Sequence, residues 1–342
     1  MEKLRVAVLF GGPSGEYAVS LRSAAAVLFA LSHKKYDIYK IGVTQNGDFY
    51  LFRGPVAAVL NDTWQTDRQS LLPLLPSPDG FLSLSDPVRR IRPDVVFPVM
   101  HGDFGEDGKV QALLSYMHLP FVGCGVAASA IGIDKLLTKR LAEASGVPVL
   151  PSVETDGSDL DFVIGRLGLP FFLKPVCGGS SLGASVVREK GDFCGAFERA
   201  QQYGRVMAEA YFPAREIEVA VLETDAGLLV SHPGEVVSTS GFYDYRKKYE
   251  TDEATVSARA TLDCNIEERI RDAAKRVFRA LTLRGLSRID FFLSGGDLYL
   301  NEINTLPGFT EISLFPKLMK DSFGLTLPTL CDTLIDYARS HP

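Results

Sequence analysis

The sequence predicts an α/β protein of two or three packed lobes, opening on a mostly parallel sheet with helices on both faces. The observations behind this are a length of 342 residues, an ordinary globular composition, and strand and helix signals that alternate through the first third. A chain of this length exceeds one ordinary core. With 46% hydrophobic and 23% charged residues it is neither disordered nor fibrous. A formal charge of -6 argues against a nucleic-acid partner, which needs a Lys/Arg excess, but leaves small anionic ligands open. The first apolar run is too short for a signal core or a membrane span, and no other stretch approaches ~20 apolar residues. The five cysteines are scattered with no CxxC pair, as in free thiols of a reducing cytosol. A soluble cytoplasmic protein without a membrane partner is expected.

Taken in order, residues 4–10 have buried-strand length and end at Gly11-Gly12-Pro13. Residues 19–31 have helical spacing, and 38–43 return to a strand. The Pro-, Ser- and Asp-rich stretch 53–93 is expected to be an irregular insertion. Residues 94–99 read as a second buried strand, 108–117 as a helix and 119–122 as a short strand. A long helical pattern runs from 126 to 144, through Lys135 and Lys139, to a Gly146-Val147-Pro148 stop. Strands follow at 171–175, 184–188 and 205–210, with a helix at 193–202 and further strand signal up to Ser238. A polar loop, 239–258, precedes an amphipathic helix at 266–281. Strands at 287–293 and 298–304 and a helix at 327–339 complete the chain. Lobe boundaries are expected near 121 and 211, giving segments 1–121, 122–211 and 212–342.

The stretch from Lys174 to Gly183, KPVCGGSSLG, is the first with chemical character. Its glycines and serines offer backbone N–H groups and hydroxyls to a phosphate. It lacks the Gly-Lys-Ser/Thr ending and following helix of a P-loop, and lies between two strands instead. It therefore reads as a hairpin-like flap with a lysine at its base. A flexible surface turn would look similar, but a lysine ending an apolar strand calls for an anionic partner.

Arg288-Ile289-Asp290 and Asn301-Glu302-Ile303-Asn304 form a second constellation. Strand alternation puts Arg288 and Asp290 on one face, and likewise Glu302 and Asn304. Two carboxylates and an amide oxygen are the hard donors Mg²⁺ takes alongside phosphate and water. A three-residue loop, Gly295-Gly296-Asp297, would set Asp290 opposite Glu302 and Arg288 opposite Asn304. A two-residue Gly-Gly turn would shift the register and split the set across both faces. The apolar neighbours Ile289, Phe291, Leu300 and Ile303 favour a covered metal site over an exposed edge. Beyond them, Pro307-Gly308 forces a turn, and Ser313 with its neighbouring N–H could bind a carboxylate.

In this order the pieces resemble the D-alanine–D-alanine ligase family of the ATP-grasp superfamily, over nearly the whole chain. The likeness rests on Gly11 to Glu16 with Val19-Ser20, His101 to Gly108, Lys174 to Gly183, Phe242 to Tyr249, and Arg288 to Asp290 with Asn301 to Leu314. It implies a three-lobed ATP-grasp fold behind an N-terminal parallel-sheet domain, with ATP held between the central and C-terminal lobes. By the resemblance, Lys135 and Lys174 would hold the ATP phosphates and Lys248 would reach the terminal one. Glu209, Tyr211 and Phe212 would face adenine, and Glu216 the ribose. Ser180, Ser181 and Phe242 would also belong to the nucleotide site. Asp290, Glu302 and Asn304 would hold two Mg²⁺ or Mn²⁺ ions. Glu16 would bind the first D-alanine's ammonium, with His101 near its carboxylate. Arg288 and the Gly308 N–H would face the oxyanion, and Ser313 with the Leu314 N–H would take the second substrate's carboxylate. Ser180 and Tyr249 would join Glu16 in a network closing the site.

The implied activity is ATP-dependent coupling of two D-alanines through an acyl phosphate, for peptidoglycan precursors, by an enzyme whose relatives commonly form homodimers. Departures from the family pattern at Ala18, Cys177-Gly178 and Arg259 remove no residue with an assigned role. A D-serine or D-lactate acceptor is the alternative within the class, and Tyr249 with Ser313-Leu314 speaks for D-alanine. A regulator that had lost catalysis would be expected to lack a metal ligand or Arg288, and this chain has them all.

Overall fold

The computed structural model describes residues 3–86, 88, 90–180, 182–238 and 254–342. The first sheet comprises β1 (Leu4–Gly11), β2 (Tyr36–Val43), β3 (Phe49–Phe52), β4 (Leu71–Ser77), β5 (Gly80–Ser83), β6 (Arg90–Ile91) and β7 (Val95–Val99), in the order β6-β5-β4-β3-β2-β1-β7. Only β2, β1 and β7 run parallel. The four remaining strands are antiparallel and come largely from the stretch expected to be irregular. Pro73 and Pro76 interrupt the alternation of β4 in sequence, yet both pair in register, with Tyr50 and Phe81.

The parallel core positions chemistry at one end. The carboxyl ends of β1 and β7 lie side by side, and the chain leaves them at Gly12 and Met100, so Glu16 and His101 emerge at the same edge. This is where open α/β sheets present ligand-binding loops. Helix α1 (Tyr17–Ala30) starts directly after Glu16. Its first residue is fixed by buried Trp64, whose indole N–H donates to the Tyr17 hydroxyl at 3.0 Å. Within the insertion, Val56–Leu60 forms α2; α3 (Lys109–Tyr116) follows β7.

The helix expected over 126–144 is two helices, α4 (Val126–Ile133) and α5 (Lys135–Ala144). Asp134 breaks it: its backbone is extended and its carboxylate accepts from the N–H groups of Leu136 and Leu137. A side chain that caps a new helix start competes with continuing the old one. Lys135 thereby becomes the first residue of α5. Both helices pack their apolar sides into the core of the third sheet.

The second sheet has the order β10-β9-β11-β8, from β8 (Ser152–Thr155), β9 (Phe171–Pro175), β10 (Ser185–Val187) and β11 (Val206–Ala210). It is covered by α6 (Leu160–Leu167) and α7 (Phe193–Gln201). The glycine-rich flap is the β9–β10 connection, as expected of a loop between strands.

The third sheet contains β12 (Arg215–Thr224), β13 (Gly227–Val230), β14 (Gly234–Ser238), β15 (Ala254–Ser257), β16 (Leu286–Ser294) and β17 (Asp297–Asn304). Helix α8 (Cys264–Ala280) buries Ile270, Ala274, Val277 and Phe278 against it. The β16–β17 turn is the two-residue one: Ser294 pairs with Asp297, and Gly295 and Gly296 adopt positive φ of 57° and 95°. That turn alone would have split the acidic set. A β-bulge restores it, because Phe291 pairs with Leu300 while Asp290 pairs with Glu302, leaving Asn301 as the extra residue. Arg288 consequently sits opposite Asn304.

Helices α9 (Leu314–Phe323) and α10 (Leu327–Ser340) return to the first lobe. Leu330, Cys331, Leu334 and Ile335 share a core with Val6, Val8, Val95 and Phe97. Among the described residues no helix is long and apolar enough to cross a membrane.

Trp64 is the single tryptophan, fully buried against Phe10 at a centroid distance of 5.3 Å. Its emission should therefore report unfolding of the first lobe. Replacing Phe10 with Ala is expected to cost about 3–5 kcal/mol, read as a lower urea midpoint for the red shift of Trp64 emission. An unchanged midpoint would contradict this packing.

Candidate active site

A cleft of about 1210 Å³ opens between the second and third sheets. Its walls include Phe172, Val186, Phe212 and Leu293, which suit a flat apolar group, together with charged residues such as Lys135, Lys174, Asp290 and Glu302. Tyr211 stacks on Phe172 at 5.5 Å, and Phe212 meets Tyr299 edge-on at 5.0 Å. Glu216 also lines the cleft, on β12.

The anion that Lys174 calls for is Glu209. Lys174 Nζ donates to Glu209 Oε2 at 2.6 Å, and Lys139 pairs with Oε1. Burial alone would raise the Glu209 carboxyl, but the two lysines hold it down at about 2. Glu209, expected at the adenine-facing hinge with Tyr211 and Phe212, lines the cleft beside them, and its carboxylate pairs with the two lysines. Burial lowers the pKa of Lys135 and of Lys139. Lys135 reaches the flap, donating to the Gly178 carbonyl at 2.5 Å. Lys139 had no assigned role; its i, i+4 spacing from Lys135 was the only available signal.

The flap closes on the first lobe. Ser180, in the left-handed region at φ 53°, donates its hydroxyl to Glu16 Oε1, and both side chains are buried. Glu16 precedes α1 without capping it, so its carboxylate faces the flap.

His101 and Glu106 together hold one residue of the last loop. His101 Nδ1 lies 2.9 Å from the Leu306 carbonyl, and the Leu306 N–H donates to Glu106 Oε1 at 3.1 Å. Burial lowers the His101 pKa, so the ring is neutral, with Nδ1–H donating to Leu306 and Nε2 facing Ser23 Oγ at 3.1 Å. Burial, and then the Glu16 charge, push the Glu106 carboxyl up to about 8. The same loop carries Gly308, where a Cβ would come within 2.6 Å of Ser313 Oγ. Ser313 accepts from the Thr310 N–H at 3.1 Å and immediately precedes α9, so the Leu314 N–H belongs to the helix's unsatisfied first turn.

On the third sheet, Arg288 grips Asp290 with two bonds, Nε to Oδ1 at 2.9 Å and Nη2 to Oδ2 at 2.8 Å. Asn304 Nδ2 adds a bond to Oδ2 at 3.1 Å. Burial disfavours the guanidinium charge, yet Asp290 and Glu218 raise the Arg288 pKa well above its ordinary value. Glu218 is a residue that sequence reasoning missed. It lies on β12 opposite Asp290, with Oε2 2.9 Å from Arg288 Nε. Glu218, Asp290 and Glu302 thus form a row across three neighbouring strands. Among the described residues, no three acidic, histidine or cysteine side chains converge as a ready metal cage. The donor set fits Mg²⁺, which takes one or two carboxylates and otherwise nucleotide phosphates and water. Ser181, Phe242, Lys248 and Tyr249 lie outside the described residues.

Comparison with known proteins identifies the family. Residues 5–124 match the family model described as D-ala D-ala ligase N-terminus, and 148–336 that for the C-terminus. A D-alanine–D-alanine ligase from Thermoanaerobacter sp. (strain X514) is 39% identical, the alignment covering 99% of this chain and 97% of the relative. The vancomycin C-type resistance protein VanC1 of Enterococcus gallinarum is 40% identical, with 98% of each chain covered. Among solved structures, the VanG D-Ala:D-Ser ligase from Enterococcus faecalis superposes with a TM-score of 0.90 at 36% identity, over 98% of this chain and 100% of that one. The D-alanine–D-alanine ligase from Coxiella burnetii gives 0.87 at 32% identity, over 99% and 95%. With both halves matched and relatives aligned from end to end, the chain belongs to the D-alanine–D-alanine ligase family.

Proposed function

We propose that the protein joins two D-alanines into D-alanyl-D-alanine for peptidoglycan precursors, converting ATP to ADP and phosphate. It acts in the cytoplasm as a homodimer, with two Mg²⁺ or Mn²⁺ ions. The observation that carries the reading is the Glu16–Ser180 hydrogen bond. It draws the glycine-rich flap onto a buried carboxylate suited to an ammonium.

An amino-acid carboxylate is a poor electrophile, so it must be activated. The γ-phosphoryl passes to a carboxylate oxygen of the first D-alanine, breaking its bond to ADP and giving an acyl phosphate. The second D-alanine's amine, after losing a proton, attacks the carbonyl carbon, and phosphate leaves. Glu16 holds the first ammonium while neutral His101 lies near that carboxylate. Lys135 and Lys174 receive phosphate oxygens, and Lys248 completes that set. Glu209, Tyr211 and Phe212 face the adenine, and Glu216 the ribose. Arg288 and the Gly308 N–H face the tetrahedral oxyanion, where one donor is typically worth about 10²–10³ in rate. Ser313 and the Leu314 N–H take the second carboxylate, favoured by the positive end of α9. Asp290, Glu302 and Asn304 would hold the divalent cations, which would supply charge neutralisation at the phosphates. The flap keeps out water that would hydrolyse the acyl phosphate. A second reading, a D-serine acceptor, is favoured by the close superposition on a structure described as a D-Ala:D-Ser ligase.

The test of the overall reading is nucleotide turnover with a panel of acceptors, with products identified by mass. ADP and phosphate should form only when D-alanine and a divalent cation are both present, and D-alanyl-D-alanine should dominate over mixed products with D-serine or D-lactate. Release of AMP and pyrophosphate would refute the acyl-phosphate route, and a dominant D-alanyl-D-serine product would favour the second reading.

Glu302→Gln keeps the shape but removes a charge from the metal set, and should leave a folded protein with less than about a tenth of the wild-type rate. Retention of more than that would remove Glu302 from the ligands. Ser313→Ala should raise KM for the second D-alanine by about tenfold, the worth of a ~1.5 kcal/mol hydrogen bond to a charged group, with KM for ATP unchanged. Equal effects on both would argue against a subsite for the second carboxylate.

A further inference from the structure

The side-chain bonds around Asp290 raise a question of occupancy. Oδ1 accepts from Arg288 Nε at 2.9 Å, and Oδ2 accepts from Arg288 Nη2 at 2.8 Å and from Asn304 Nδ2 at 3.1 Å. Both oxygens are therefore engaged by nitrogen donors. A divalent cation bound to Asp290 would require at least one of those same oxygens. Each oxygen has two lone pairs, so Oδ2 is fully occupied while Oδ1 has one left. A cation held through Oδ2 or through both oxygens must displace one of these donors, and one held on Oδ1 alone sits against the guanidinium charge.

Arg288 is held away from solvent, with its side chain 13% exposed. A guanidinium in that position cannot release its counter-ion into nothing, since a buried unpaired charge is strongly destabilising. Glu218 meets the need. It stands directly opposite Asp290 on the neighbouring strand β12, its side chain is only 8% exposed, and Oε2 already lies 2.9 Å from Arg288 Nε. Glu302 flanks Asp290 from the other side, on β17. The row is thus asymmetric, with the guanidinium between Asp290 and Glu218.

We propose that Glu218 is a positioning residue that keeps Arg288 paired while Asp290 turns to a divalent cation. The guanidinium shifts its charge-pairing from Asp290 towards Glu218, and the Asp290 oxygens become available as ligands. Arg288 then stays anchored where it faces the oxyanion. This rests on the reading of Asp290 as a metal ligand. It adds a residue that touches neither metal nor substrate but sets how readily Asp290 can bind.

The test is equilibrium Mn²⁺ binding to the full-length protein with saturating ADP, followed by the loss of the free-ion electron paramagnetic resonance signal, so that no turnover is needed. Glu218→Gln keeps the shape and removes the charge, leaving Asp290 as the main counter-ion of Arg288. Mn²⁺ affinity should fall about tenfold, the range typical of lost outer-sphere partners. Removing a carboxylate near a cation would also weaken binding by simple Coulomb loss, and a double-mutant cycle separates the two. In an Arg288→Met background Asp290 has no guanidinium to release, so adding Glu218→Gln should change affinity by less than about twofold. Should Arg288→Met fail to fold, Arg288→Lys serves, since an ammonium lacks the fork that takes both Asp290 oxygens. A fall of equal size in both backgrounds, or no fall in either, overturns the proposal. A wild-type protein that binds no Mn²⁺ with ADP would instead overturn the metal reading itself.

Discussion

An ionised side chain taken out of water has to find a counter-charge nearby, and the charged part of the cleft is arranged around that requirement. Glu209 is almost wholly buried and remains ionised only because Lys139 and Lys174 flank it. The buried Arg288 charge is balanced by Asp290 and Glu218. Each cluster has one member more than a simple pair. If one residue of a cluster turns to a ligand, the surplus member keeps the remaining charges paired. Under the proposed function those residues would be Lys174 and Asp290.

Geometry for the substrate side comes from the first lobe. Glu16 and His101 leave adjacent parallel strands at their carboxyl ends, a placement fixed by the β1–β7 pairing. The loop that bears Gly308 is then held to this lobe by His101 and Glu106 on both polar groups of Leu306, and by Phe309 packed against Phe97. Helices α9 and α10 carry the chain back to that core. The lobes are thus tied together at the residues that would touch substrate, which limits how far those residues can drift apart.

Local signals made much of this legible in the sequence. The apolar runs around β1, β7 and β16, the flap between two strands, and the Arg288–Asp290 and Glu302–Asn304 faces follow from alternation and turn chemistry. The strands of residues 71–91 were hidden because proline and serine blur the period of short antiparallel strands, whose stability comes from their neighbours. The break at Asp134 was missed because the apolar spacing of α4 and α5 runs on through it, while the cap is a side-chain choice. Glu218 was out of reach for another reason. Its meaning depends on a strand pairing between residues some seventy positions apart, and nothing in its own neighbourhood distinguishes it from an ordinary strand carboxylate. Lys139 is similar, since the partner that gives it a role, Glu209, lies on a different element.

The hairpin of β16 and β17 has an implication for chain length. Its two-residue turn and its bulge are each one residue away from a regular three-residue hairpin, in opposite senses, and the pairing of Asp290 with Glu302 depends only on their sum. Alignment is thus controlled by a tally of residues between the two strands and is indifferent to where along the hairpin the odd one is accommodated. A homologue with a longer turn and a regular strand would present the same facing carboxylates. A single insertion or deletion that left the rest untouched would turn Glu302 to the wrong side of the sheet. Gaps placed in this hairpin during sequence alignment should therefore be judged by parity, since an apparent shift of one residue can be structurally neutral when it comes as a compensating pair.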